Sequence, residues 1–193
     1  MIDYITGTVI ELNPAIVVIE CNGIGYGINI SLNTYGALEK KEKCVVFVHE
    51  AIREDAYILF GFAEKAERDL FRQLITVSGV GANTARMMLS SLKPSELSRA
   101  IVEADVNVLK AIKGIGLKTA QRIIVDLKDK VGKHAGSGEI IDFSDNTARE
   151  EALSALVMLG FAKNSASKTL DSLLKENRSL TVEELVRKAL KLL

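Results

Sequence analysis

The stretch "SGVGANTARMML", Ser78–Leu89, is written a second time 35 residues later as "KGIGLKTAQRII", Lys113–Ile124. Each copy sets a glycine, an apolar residue and a second glycine directly before a run with helical periodicity. Glycines one residue apart admit φ > 0 and expose consecutive N–H groups with no Cβ in the way. Such a turn presents a helix N-terminus, where free amides and partial positive charge favour an anion such as phosphate. The residue between the glycines, Val80 or Ile115, is expected to plug back between the helices. In the second copy Lys118 and Arg122 stand at i and i+4 on one helix face and add charge beside the amides. In the first copy Asn83 stands where the second has Lys118, and Arg86 is the basic residue placed to compensate. One isolated Gly-x-Gly reads equally well as a tight helix–helix turn. Two copies in register form paired hairpins able to hold phosphates on two strands across one groove. Amides on phosphates read no bases.

Charge is laid out unevenly along the 193 residues, although the 25 basic and 25 acidic side chains cancel. Residues 1–64 hold 4 basic and 9 acidic side chains (net −5), residues 65–133 hold 13 and 7 (net +6), and residues 134–193 hold 8 and 9 (net −1). The positive block is the one that carries both repeats, as a polyanion-binding surface requires. Nearly half the chain is hydrophobic, 48%, so it can bury real cores. Cys21 and Cys44 are the only cysteines, each inside an apolar run and neither in a CxxC pair. That argues against a disulfide framework or zinc ribbon and for a cytoplasmic setting. No segment reaches the roughly 18 uninterrupted apolar residues of a membrane span, and "MIDYITGTVIEL" lacks the basic start of a signal peptide. No metal or other cofactor is indicated: His49 and His134 are far apart and no carboxylate cluster has ligand spacing.

The first block reads as five short strands: Ile5–Leu12, Ile16–Asn22, Ile24–Ile30, Lys43–Ile52 and Ala56–Phe62. With turns at Asn13-Pro14 and Asn22-Gly23 they suggest a small antiparallel barrel. "GIGYG", Gly23–Gly27, looks like a nucleotide fingerprint, but no helix pattern follows it, and the glycines are read as easing barrel curvature. From Ala63 the texture turns helical. Leu70, Phe71, Leu74 and Ile75 form one stripe, and "ANTARMMLSSL", "PSELSRAIVEA", "VNVLKAI" and "LKTAQRIIVDLKDKV" follow, with Pro94 in the permitted first turn. "GKHAGSGEIIDFSDN", Gly132–Asn146, has the texture of a flexible linker. Thr147 with Glu150, and Thr181 with Glu184, have capping-box spacing and open the first and last of three final helices.

The two Gly-x-Gly copies look like paired helix-hairpin-helix motifs. Together with the strand-rich start, "REDAYILFGF", the Gly-rich linker and the last three helices, they resemble the RuvA family over essentially all 193 residues and in the right order. The resemblance implies an α+β multidomain chain. An OB-like five-stranded barrel spans 1–63, an α-helical domain with two helix-hairpin-helix motifs 64–131, a linker 132–146 and a three-helix bundle 147–193. It implies a homotetramer, alone or doubled face to face into an octamer, that holds four-way junction DNA during recombination and repair. The DNA-binding set is then Gly79, Val80, Gly81, Asn83, Thr84, Arg86, Gly114, Ile115, Gly116, Lys118, Thr119 and Arg122. Arg53-Glu54-Asp55 reads on its own as a polar hairpin tip; the resemblance makes Glu54 and Asp55 an acidic pin at the junction's centre. It also implies docking of the RuvB motor ATPase on the last three helices, with Leu153, Leu156, Leu159 and Phe161 as candidate contacts, and RuvC resolvase in the same complex.

No catalytic residue is indicated. The chain has no GxxxxGK[ST] motif, since "GIGLKT" places one residue between its second glycine and Lys118. Helix-hairpin-helix glycosylases and lyases carry a downstream catalytic Asp, but Asp126 and Asp129 alternate with lysines on a solvated helix face. A general duplex-DNA scaffold is the other reading, because backbone contacts alone bind any duplex.

Overall fold

The computed structural model describes residues 1–135, 144–177 and 180–193, which fall into two compact units, Met1–Gly136 and Ser137–Leu193. In the first unit β1 (Tyr4–Leu12), β2 (Ile16–Cys21), β3 (Ile24–Ile30), β4 (Lys43–Ile52) and β5 (Tyr57–Phe62) close a barrel in the order β1-β2-β3-β5-β4. Alternate residues point inward, so Val17 and Ile19, Ile28 and Ile30, and Val46 and Val48 fill the interior. The expected antiparallel barrel is found in four of its five seams; at the fifth, β3 and β5 run parallel through Ile28↔Leu59 and Ile30↔Gly61. Geometry requires this: an odd number of strands cannot alternate direction around a closed ring.

The β3–β4 connection contains α1 (Leu32–Leu38), which the sequence reading missed. Two turns with Gly36 inside show no apolar stripe to read. Its start is local chemistry all the same, since Ser31 Oγ caps the helix by accepting from Thr34 N at 3.0 Å. The glycines that barrel packing demands lie outside "GIGYG". A Cβ on Gly7 would stand 2.1 Å from the Glu20 carbonyl oxygen, and one on Gly61 2.5 Å from Ile28 Cγ2. Gly23 instead closes the two-residue β2–β3 turn with Asn22, at φ of 83° and 50°.

Five helices follow in the same unit: α2 (Lys65–Leu74), α3 (Ala82–Ser91), α4 (Pro94–Val102), α5 (Val106–Lys110) and α6 (Leu117–Ala135). Leu70, Phe71, Leu74, Met88, Leu89, Leu97, Ile101, Ile123 and Leu127 build their core. Strand β5 is a wall shared by both cores. Leu59 faces into the barrel, whereas Phe60 and Phe62 stack on Phe71 of α2 at ring-centroid distances of 5.3 and 4.9 Å.

A buried polar seam fastens barrel to helices. Glu67 of α2, 3% exposed, accepts from Ser31 Oγ at 2.5 Å and Thr34 Oγ1 at 2.8 Å. Thr34 Oγ1 in turn accepts from Ala63 N at 3.1 Å. Burial pushes the Glu67 carboxyl above its ordinary 4.5, while the two hydroxyl bonds pull against that rise. Beside it Arg68, equally buried, reaches Asp3 Oδ1 at 2.6 Å and lies over the Phe47 ring.

The second unit packs α7 (Ser144–Met158), α8 (Lys163–Glu176) and α9 (Val182–Ala189) around Ala152, Leu156, Ala166, Leu170, Leu173, Leu185 and Ala189. The capping box at Thr181 and Glu184 is formed. Thr147, expected to open its helix, lies inside α7, which begins at Ser144. The linker read over 132–146 likewise overlaps helix at both ends, and its middle, 136–143, lies outside the described residues. No helix among the described residues is long and apolar enough to cross a membrane.

Candidate nucleic-acid interface

The two hairpins share one backbone. In the first, Val77 N donates to the Leu74 carbonyl (3.1 Å), Val80 N to Val77 (3.0 Å) and Ala85 N to Gly81 (2.9 Å). In the second, Ile112 N donates to Leu109 (3.2 Å), Ile115 N to Ile112 (3.1 Å) and Ala120 N to Gly116 (2.9 Å). Each donor and acceptor of the first recurs 35 residues on. Gly79 and Gly114 take φ of 93° and 89°, a left-handed conformation that other residues adopt only with strain. Gly81 does something else: at φ −84° it is extended and serves as the N-cap of α3. One glycine of the pair turns the chain and the other starts the helix.

Val80 and Ile115 are buried and join the helical core, so the plug between the glycines is formed in both copies. In front of the hairpins there is room. A Cβ on Gly79, Gly81, Gly114 or Gly116 would meet nothing within 4 Å. No side chain caps α3, and Gly116 has none to offer α6. The first-turn amides of both helices therefore face an open approach that an anion can use.

Side chains separate the two copies. Lys118 and Arg122 are exposed, and no ion pair joins either to another described residue. The 35-residue shift maps Asn83 onto Lys118, Thr84 onto Thr119, Arg86 onto Gln121 and Met87 onto Arg122. Arg86 is thus not the counterpart of Arg122; it sits about 100° further round its helix. Its Nη1 donates to the Ala15 carbonyl at 3.1 Å and to Asn29 Oδ1 at 3.3 Å, both on the barrel. Thr84 and Thr119 are half-buried at matching positions.

On the same unit β4 and β5 are joined by a tight turn in which Arg53 N donates to the Ala56 carbonyl at 2.8 Å. Glu54 and Asp55 form its exposed tip. Just below, Ala51 and Ile58 pack on the helical core, so the tip stands on a supported hairpin. On the opposite face Tyr57 Oη donates to Glu50, and this bond holds the Glu50 carboxyl below the usual carboxylate range.

In the second unit the apolar candidates divide. Leu156 is fully buried, Leu153 and Phe161 pack partly into the core, and Leu159 is exposed. Outside that set stand two further exposed apolar side chains, Val157 and above all Met158, which is 85% exposed. A signal for them exists: three successive apolar residues, 157–159, fan across about 200° of helix, wider than one buried stripe.

The sequence compares along its whole length with known proteins. Residues 1–61 match the RuvA N terminal domain, residues 71–129 a SAM-like helix-hairpin-helix tandem, and residues 147–193 the RuvA, C-terminal domain. A relative from Christiangramia forsetii is 53% identical over 191 residues, 99% of each chain. One from Bacteroides fragilis is 51% identical over 199 residues, again 99% of each, and one from Porphyromonas gingivalis 48% over 202 residues covering both chains completely. All three bear the name Holliday junction branch migration complex subunit RuvA. The chain belongs to the RuvA family. The RuvA N-terminal match ends within β5, the strand shared by the two cores, and the tandem match spans both hairpins. The RuvA C-terminal match begins inside α7 and takes in the rest of the second unit.

Proposed function

We propose that this RuvA-family chain is the non-catalytic, DNA-holding subunit of a branch-migration complex in homologous recombination and DNA repair. A homotetramer, alone or doubled into an octamer, holds a four-way junction open with one arm on each subunit. Gly79, Gly81, Gly114 and Gly116 offer backbone amides to phosphates on the two strands of an arm, and Lys118 and Arg122 add charge beside the second set. Glu54 and Asp55 meet at the fourfold axis, where converging carboxylates repel phosphate and keep the strands apart for exchange. The second unit recruits the RuvB ATPase, which supplies the motor, through the exposed end of α7 around Leu159 and Met158. RuvC resolvase joins the same cytoplasmic assembly.

The observation that carries this reading is the exact repetition of an open, amide-presenting hairpin on the unit that also bears the acidic turn. Relatives about half identical over the full length carry the matching name. The test is a binding titration with a four-way junction and a linear duplex at equal salt. The junction should bind at least tenfold more tightly, since only it can engage all subunits together; equal affinities would reject the junction reading and leave a general duplex binder.

A further inference from the structure

We infer that Arg86 is a positioning residue, which sets the first hairpin against the barrel and its acidic turn, and not a phosphate ligand. The inference rests on the junction-holding reading above for its consequence, but not for its geometry. Arg86 and Ser90 lie one turn apart on α3; Arg86 bonds to the barrel and Ser90 to α1, the helix between β3 and β4. Arg86 Nη1 donates to the Ala15 carbonyl and Asn29 Oδ1, while Ser90 Oγ accepts from Leu32 N at 3.1 Å. Asn33 Nδ2 reaches back from α1 to the carbonyls of Leu89 and of Leu92, the latter at 3.0 Å. A strip of α3 is therefore stitched to the barrel, and Arg86 is its member nearest the hairpin. The face that presents charge in the second copy is occupied here by Asn83 and Met87.

The barrel also carries Glu54 and Asp55. Fixing α3 to it fixes the distance between one phosphate seat and the junction's centre. For branch migration that distance has to be the same in every subunit, or the arms leave the fourfold arrangement. A guanidinium whose Nη1 bonds two acceptors, one in the β1–β2 turn and one on β3, is suited to this, because its planar, always charged group holds direction as well as distance. In this reading the first hairpin contributes amides and register, and the second contributes amides and charge.

The experiment uses the full chain, a synthetic four-way junction and a linear duplex, each titrated across a salt series. A phosphate ligand lowers the slope of log K against log salt by about 0.9 when it is removed. Arg86→Met should leave that slope unchanged on both DNAs and lower the preference for junction over duplex roughly fivefold, about what one hydrogen bond is worth. Asn29→Ala removes one of the two acceptors, outside the hairpins, and should reproduce part of the same loss of preference, and the double variant should lose no more than Arg86→Met alone. A slope reduced by about 0.9 in Arg86→Met, with Asn29→Ala like the parent, would make Arg86 a phosphate ligand and overturn the inference. The duplex slopes decide this even if the parent protein shows no junction preference, so failure of the junction reading is seen separately.

Discussion

The hairpins at Val77–Gly81 and Ile112–Gly116 repeat the same hydrogen bonds and the same left-handed glycine, yet they are mounted differently. Helix α3, after the first, is bonded to the barrel through Arg86, Ser90 and Asn33. Helix α6, after the second, packs mainly on α4, α5 and α2 and leaves Lys118 and Arg122 to solvent. A duplicated backbone thus keeps one chemistry, amide presentation, while its side chains divide charge from placement. A backbone change should affect the two copies alike, and a side-chain change should not.

The largest effect is expected at the turning glycines. Gly79→Val and Gly114→Val each force a β-branched residue to positive φ, a strain of about 1–3 kcal/mol, and place a side chain before the amides. Junction affinity should fall roughly tenfold to a hundredfold in either variant, by similar factors. A large loss in one copy and none in the other, measured by gel shift, would mean that only one hairpin seats a phosphate. Next comes the charge. Lys118→Ala with Arg122→Ala should reduce the salt slope by about 0.9 for each phosphate contact removed, whereas Asn83→Ala should not change it. The converse transplant, Asn83→Lys with Met87→Arg, should raise the slope and tighten binding severalfold by giving the first hairpin the charges of the second. No gain would show that the strip on α3 holds that face away from DNA.

The smallest effect concerns the mounting itself. A carboxyl whose value is raised on folding binds more protons folded than unfolded, so its contribution to stability is greatest below 4.5 and declines as pH rises towards the folded value. Glu67 is such a group, and it joins α2 to α1 of the barrel. Glu67→Gln cannot titrate, so its melting temperature should fall less than the parent's as pH is raised from 4.5 into the neutral range. Parallel melting curves for the two proteins would remove Glu67 from the pH dependence of the seam.

Local pattern carried the elements and long-range pairing did not. All five strands are found within one residue of their expected ends, because period-two alternation and Asn/Gly turns are local signals. Helix α1 escaped because seven residues interrupted by Gly36 show no stripe, and the parallel β3–β5 seam because closure is a property of the whole ring. The two hairpins were legible for a different reason, self-similarity at a fixed spacing. What Arg86 does was not legible: its acceptors, Ala15 and Asn29, lie 71 and 57 residues away. Likewise Leu156 and Met158 are equally apolar in sequence, and only packing against α8 and α9 buries the first and exposes the second.

The most direct measurement is the native mass of the complex formed on a synthetic four-way junction, with a linear duplex of equal length beside it. Four chains, or eight, should assemble on the junction, and the duplex should not compete for them at equal concentration. One or two chains per DNA molecule, with the same occupancy on duplex and junction, would contradict the assignment of the paired hairpins to a fourfold junction-holding assembly.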